Sequence, residues 1–110
     1  MARSILQNCE DGRYCFFCKK NGQGDPLDKH HVFGGAFRKK SESFGLWVYL
    51  CHDACHENGE MSVQRNRRVD QALKAWAQKK AMRHYELTAD EFRGLFGKNY
   101  IDTVKEEKEA

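Results

Sequence analysis

Leu46-Trp47-Val48-Tyr49-Leu50-Cys51-His52-Asp53-Ala54-Cys55-His56 is the stretch on which the fold turns. Its first five residues have strong strand propensity and suit a half-buried sheet position. The next six place two cysteines four positions apart, each followed directly by a histidine. If residues 51–56 begin a helix, Cys51 and Cys55 share one face, and His52 and His56 share another about 100° around. One turn would then serve two metals, with thiols on one side and imidazoles on the other.

Upstream, Cys15-Phe16-Phe17-Cys18 supplies a second cysteine pair. The 32 residues from 19 to 50 are enough to fold a hairpin between the two ligand-bearing turns. Cys15, Cys18, Cys51 and Cys55 therefore read as a structural zinc site, whose binding free energy becomes folding free energy. A redox Cys-x-x-Cys is the competing reading, and it lacks the βαβ surroundings that motif needs. Four unrelated buried thiols are the plainer one. Cys9, the fifth cysteine, reads as an ordinary residue of the chain's start.

Between the pairs lies Asp28-Lys29-His30-His31. Residues 26–33 can form one strand and Leu46–Leu50 its partner, with Gly34-Gly35 and Gly45 marking a long loop between them. Neighbouring residues on a regular strand point to opposite sides, so His30 and His31 reach one site only at a strand end or bulge. Beyond the second pair the pattern is helical. From about Val63 to Tyr85, the residues Val69, Leu73, Trp76, Ala77 and Ala81 or Met82 recur at helical spacing. Thr88 and Glu91 form a capping box for a second, short helix, with Phe92, Leu95 and Phe96 as its apolar stripe and Gly97 at its C-terminal cap.

The 110 residues fit one domain with a modest core, and 40% hydrophobic against 32% charged residues is a globular balance. The expected division is a flexible segment 1–13, one domain over 14–101 and a flexible acidic tail over 102–110. No stretch resembles a signal peptide or a membrane span, which points to a reducing cytoplasm, where clustered cysteines favour metal chemistry over disulfides. The net charge is +3, and the tail holds four acids against two lysines, leaving +5 for residues 1–101. The positive charge is clustered: Arg38-Lys39-Lys40, then Arg65, Arg67 and Arg68, with Lys79, Lys80 and Arg83 further along. Such clusters suit a phosphate backbone, and a solvated surface is the plainer reading.

The run Asp28-Lys-His30-His31, the following strand, Cys51 and the Cys55-His56 pair resemble the HNH endonucleases of the ββα-metal, or His-Me finger, type, including their zinc-stapled members. From Cys15 through His-His-Val-Phe-Gly-Gly and Leu46-Trp-Val-Tyr-Leu-Cys to Phe96-Gly-Lys-Asn-Tyr100, the chain is similar to small HNH proteins of phages and prophages. The resemblance implies an α+β fold: a zinc-stabilised ββα-metal core with a β-hairpin, a long C-terminal amphipathic helix and a short terminal helix. It also implies a metal-dependent DNA endonuclease of low sequence specificity. His30 stands at a metal-ligand position, His31 at the general base and His56 at the ligand that opens the helix. His52 is an alternative or additional ligand, because Ala54 stands as an inserted residue in the second cysteine pair.

The family's middle asparagine falls at Leu46, so the support it commonly lends the base has no counterpart at that position; Asn66 and Gln64 could supply a polar contact instead. Asp28 reads equally as a ligand, a partner orienting a histidine, or a turn residue after Pro26. Imidazole donors favour zinc, nickel or manganese over magnesium, although magnesium can act where phosphate and water complete its shell. Three functions follow in order: a nuclease on DNA, a catalytically inactive zinc module that binds nucleic acid, and a zinc-stabilised interaction protein using Trp76, Phe92 and Phe96. A second copy of the chain or larger phage proteins are the further partners expected.

Overall fold

The computed structural model describes residues 3–101, so the acidic tail 102–110 lies outside the described residues. Among those residues the chain is a small α+β unit: β1 (Leu27–His31), a 3-10 turn (Gly35–Phe37), α1 (Arg38–Ser43), β2 (Trp47–Cys51), a wide π-type turn (His52–Glu57), α2 (Arg67–Tyr85) and α3 (Ala89–Phe96). Among the described residues no helix is long and apolar enough to cross a membrane.

β1 and β2 pair antiparallel, with Leu27 opposite Cys51, Asp28 opposite Leu50, Lys29 opposite Tyr49, His30 opposite Val48 and His31 opposite Trp47. Because side chains alternate along a strand, this register sorts the hairpin into two faces. Asp28 and His30 share the inner face with Leu50 and Val48, both fully buried. Lys29 and His31 share the outer face with Tyr49 and Trp47.

The loop expected from Gly34 to Gly45 contains α1, which carries no apolar periodicity by which it could be read. It is set by burial of Ser41, whose hydroxyl donates to the Leu46 carbonyl at 2.5 Å and accepts from the Phe33 N–H at 3.2 Å. Gly45 then turns the chain with φ 70°, and a Cβ there would overlap the Arg3 carbonyl.

The described part of the segment expected to be flexible, 1–13, runs along the outer face. Ser4 donates to the Trp47 carbonyl at 2.6 Å, the Gln7 side chain accepts from Tyr49 N–H at 2.8 Å, and Leu6 and Gln7 are buried. These contacts satisfy backbone groups at an otherwise open sheet edge or face, which is the physical reason for docking a strap there.

The inner face shares its core with the long helix α2 and the short helix α3. α2 starts at Arg67 rather than at Val63, because Asn66 is its N-cap and accepts from the Val69 N–H at 3.2 Å. This employment takes Asn66 away from the polar-contact role considered for it. Leu73, Ala77 and Ala81 are the buried stripe of α2. α3 has both bonds of its capping box, Thr88 with Glu91, and ends at Gly97 with φ 78°. Phe92 and Phe96 of α3 close on Phe33, with ring centroids 5.3 and 4.9 Å away. The core thus grips the end of β1 from below.

Candidate metal centres

Two ligand clusters diverge from the single turn that follows β2. The first joins Cys15, Cys18, Cys51 and Cys55, whose sulfurs all lie within 4.8 Å of one another. Cys15–Cys18 forms a tight loop in which the Cys18 N–H points at the Cys15 sulfur, 3.4 Å away. Lys19, at φ 68°, turns the chain back, so that Cys15 N–H reaches the Lys20 carbonyl at 2.8 Å. The Phe16 N–H then binds the Tyr49 carbonyl at 2.7 Å, which docks this loop against β2. Cys51 ends β2 and Cys55 sits within the π turn.

These four thiols cannot all ionise unaided. Cys15 is drawn down to about 7: burial opposes its thiolate, but N–H groups of Cys18 and Cys51 outweigh it. Burial and the neighbouring sulfurs push Cys55 up to about 12 and Cys51 up as well. A divalent cation removes the conflict by stabilising all four thiolates together. Tetrahedral zinc with bonds of about 2.3 Å places sulfurs roughly 3.8 Å apart, and this cage is of that size. The cluster can therefore hold a metal ion, and zinc suits its donors.

The second cluster joins Asp28, His52, His56 and Glu57, with their ligand atoms again within 4.8 Å. One oxygen of Asp28 meets Nδ1 of His52 at 2.6 Å and Nδ1 of His56 at 2.9 Å, while Nε2 of His52 lies 3.3 Å from Glu57. Burial works against the Asp28 carboxylate, yet the two imidazoles hold its pKa below the usual value. The Asp28 hydrogen bond and charge raise His52 in turn. Two imidazoles with two carboxylates form a mixed N/O donor set that suits zinc, nickel or manganese.

The turn itself is built to aim both sets. Its N–H groups at Asp53 and Ala54 donate to the two oxygens of Asp25, at 2.8 and 3.0 Å. Its carbonyl at Asp53 accepts from Asn58 five residues on, which is the π spacing. The wide turn absorbs Ala54, so both histidines reach Asp28 and neither has to be chosen over the other. Gly59 closes this turn, and a Cβ there would overlap the Ala54 carbonyl. Gly59→Ala is expected to cost at least about 1–3 kcal/mol and to weaken both metal sites together. Thermal melts and a zinc competition titration check this; an unchanged melt with unchanged zinc retention would rule it out.

His30 stands beside the second cluster, not inside it. Its ring lies edge-on to His56 with centroids 5.1 Å apart, and its Nε2 is buried without a hydrogen-bond partner. Burial, with the charge of His56, lowers its pKa to about 4. It is thus held neutral, the form in which imidazole ligates metal. His31 is not brought to this cluster. It faces the other side of β1, where Nε2 meets Glu42 at 3.0 Å and Lys29 reaches the same carboxylate at 3.2 Å. On this outer face a groove of about 960 Å³ runs beside the strap, lined in part by Arg3, Lys29, Trp47 and Tyr49.

Arg38, Lys39 and Lys40 are exposed on α1, and Arg65, Arg67 and Arg68 are exposed where α2 begins. Arg65 also donates to the Asn58 carbonyl at 2.9 Å, which ties it to the end of the metal-bearing turn. Two functional candidates escaped the sequence reading. Glu57 had a signal, its place next to His56, but reading it required foreseeing a π turn. Glu42 had none, because α1 itself was not legible. Leu46, at the position expected to hold a polar residue, is fully buried in the core.

Compared with protein-family models, with curated proteins and with solved structures, the chain has no match.

Proposed function

We propose that this chain is a metal-dependent DNA endonuclease of the HNH type, stapled by zinc at its four cysteines. The observation that carries the reading is the turn from Cys51 to Glu57: it aims thiols into one cluster and sets two imidazoles on Asp28. A zinc module with only a structural role has no use for the second donor set.

In this reading Asp28, His52 and His56 hold one divalent ion, with Glu57 and His30 at its margin. When bound, that ion supplies Lewis-acid stabilisation of the scissile phosphate and the leaving 3′ oxygen. His31, at the last residue of β1, takes a proton from water as the water oxygen bonds to phosphorus and the bond to the 3′ oxygen breaks. Arg65, Arg67 and Arg68 beside the turn, and Arg38, Lys39 and Lys40 on α1, hold the DNA backbone; such contacts position a duplex without reading its sequence. A phosphate lying across the end of β1 is the arrangement that lets the two faces of the strand act on one bond.

A second reading, an inactive zinc module that binds nucleic acid, draws on one observation. His31 faces away from Asp28 and His56 and is engaged by Glu42. Supercoiled plasmid incubated with zinc-loaded protein and magnesium, manganese, nickel or zinc separates the two. The nuclease gives relaxed circles, and His31→Ala lowers the rate about 10²–10⁴-fold with the fold intact. No cleavage with any ion, together with DNA binding that weakens steeply as salt rises, establishes the binding module instead.

A further inference from the structure

We infer that Glu42 is the positioning residue for His31, holding its ring as the Nε2–H tautomer so that Nδ1 presents the lone pair that accepts a proton. The inference rests on the reading of His31 as general base and names what orients it. The polar residue expected for that task would occupy position 46, where a fully buried leucine stands. The orienting group comes instead from α1, four residues earlier in the chain.

The geometry is specific. Oε1 of Glu42 lies 3.0 Å from Nε2 of His31, and Lys29 Nζ lies 3.2 and 3.5 Å from the two carboxylate oxygens. An ionised carboxylate only accepts hydrogen bonds, so a contact of this length requires Nε2 to be the protonated nitrogen. The neutral ring then has its lone pair on Nδ1. The hydrogen bond with His31, and then that with Lys29, hold the Glu42 carboxyl below its usual range, and Lys29 is itself set by its place over the Trp47 ring, 4.1 Å from the centroid. The backbone that carries Glu42 is anchored, because its neighbour Ser41 is fully buried and bonded to Leu46 and Phe33. His31 has little freedom either, its side chain being 11% exposed. A carboxylate that fixes the tautomer and orientation of a catalytic imidazole acts through it and touches no substrate.

The test uses zinc-loaded full-length protein and two readouts. Nitrogen NMR of the histidine rings is expected to show His31 as the Nε2–H tautomer in the wild type. In Glu42→Ala the ring becomes a mixture of tautomers, and in Glu42→Gln, which keeps an acceptor oxygen, the single tautomer returns. In plasmid nicking with manganese, Glu42→Ala lowers kcat about 10–100-fold at unchanged KM, and Glu42→Gln recovers most of the loss. An unchanged His31 tautomer or an unchanged kcat in Glu42→Ala, with His31→Ala inactive, overturns the role of Glu42 and leaves the nuclease reading standing. A wild type that fails to cleave with every ion overturns both, and it is told apart because no His31-dependent activity then exists to be lost.

Discussion

Stripping the cation from Cys15, Cys18, Cys51 and Cys55 is expected to unfold the protein rather than loosen one corner of it. The cage ties the loop at residues 15–18 to the end of β2 and to the π turn, and it does so beside a core built on a two-stranded sheet. A lone hairpin of this kind has little stability of its own. Apparent zinc binding in small domains is worth about 10–16 kcal/mol at neutral pH, against a total stability of about 5–15 kcal/mol for a typical domain. Losing such a term exceeds what the remaining contacts hold in reserve. Without the ion, moreover, four thiols crowd together, three of them buried, and the sulfurs of Cys18 and Cys51 are 3.2 Å apart. The purified protein should carry one zinc per chain by elemental analysis. A strong chelator in reducing buffer should release it with loss of far-ultraviolet dichroism and of the near-ultraviolet signal of the two tryptophans. Cys51→Ser should fail in the same way. A chelated, metal-free protein that melts within a few degrees of the native one would show that the cage is not what holds the fold.

The second large effect belongs to His56. Both Asp28 and the His30 ring converge on it, and its side chain is 16% exposed against 47% for His52. His56→Ala removes the more enclosed imidazole of the set. Altering even an outer partner of a metal ligand costs about 10–100-fold in affinity or activity, so loss of the ligand itself should cost at least about 100-fold in manganese or nickel affinity. Zinc content should stay at one per chain, because Cys55 next to it is untouched. Calorimetric titration of manganese into zinc-loaded wild type and variant measures this directly, and plasmid nicking should fall in step. Equal affinities would remove His56 from the site and with it the case for a second ion on this turn. His52→Ala, at the solvent edge, is expected to lose less. Running the two variants side by side ranks the imidazoles, of which the resemblance put His56 at the ligand position and His52 as an alternative or additional ligand.

Much of this architecture could be read from local patterns. The α3 capping box at Thr88 and Glu91 and its stop at Gly97 depend on residues within one or two turns, and they stand where read. The cysteine cluster was legible because thiols have few other uses at that spacing. The strands were found within a residue or two, since propensity marks their existence better than their ends. What escaped reading depended on distant partners. Six polar residues became α1 because Ser41 has carbonyl and N–H partners across the loop, at Leu46 and Phe33. The strap at residues 4–7 docks because β2 offers it backbone partners, which nothing in Ser-Ile-Leu-Gln announces.

The division between the two kinds of information has a physical basis. Sequence by itself determined which side chains were chemically equipped to share a cation: four thiols in two pairs, and imidazoles offset from the second pair along one turn. Only the tertiary structure decided where each histidine points. Direction along a strand alternates residue by residue, so it follows from the register of β1 against β2, and a slip of one residue would have exchanged His30 with His31. That register sends His30 to His56 and His31 to Glu42. The width of the turn, set by the carboxylate of Asp25 and the close approach at Gly59, then brings His52 and His56 together on Asp28. Those choices are made by hydrogen bonds between residues far apart in the chain, and no local pattern contains them.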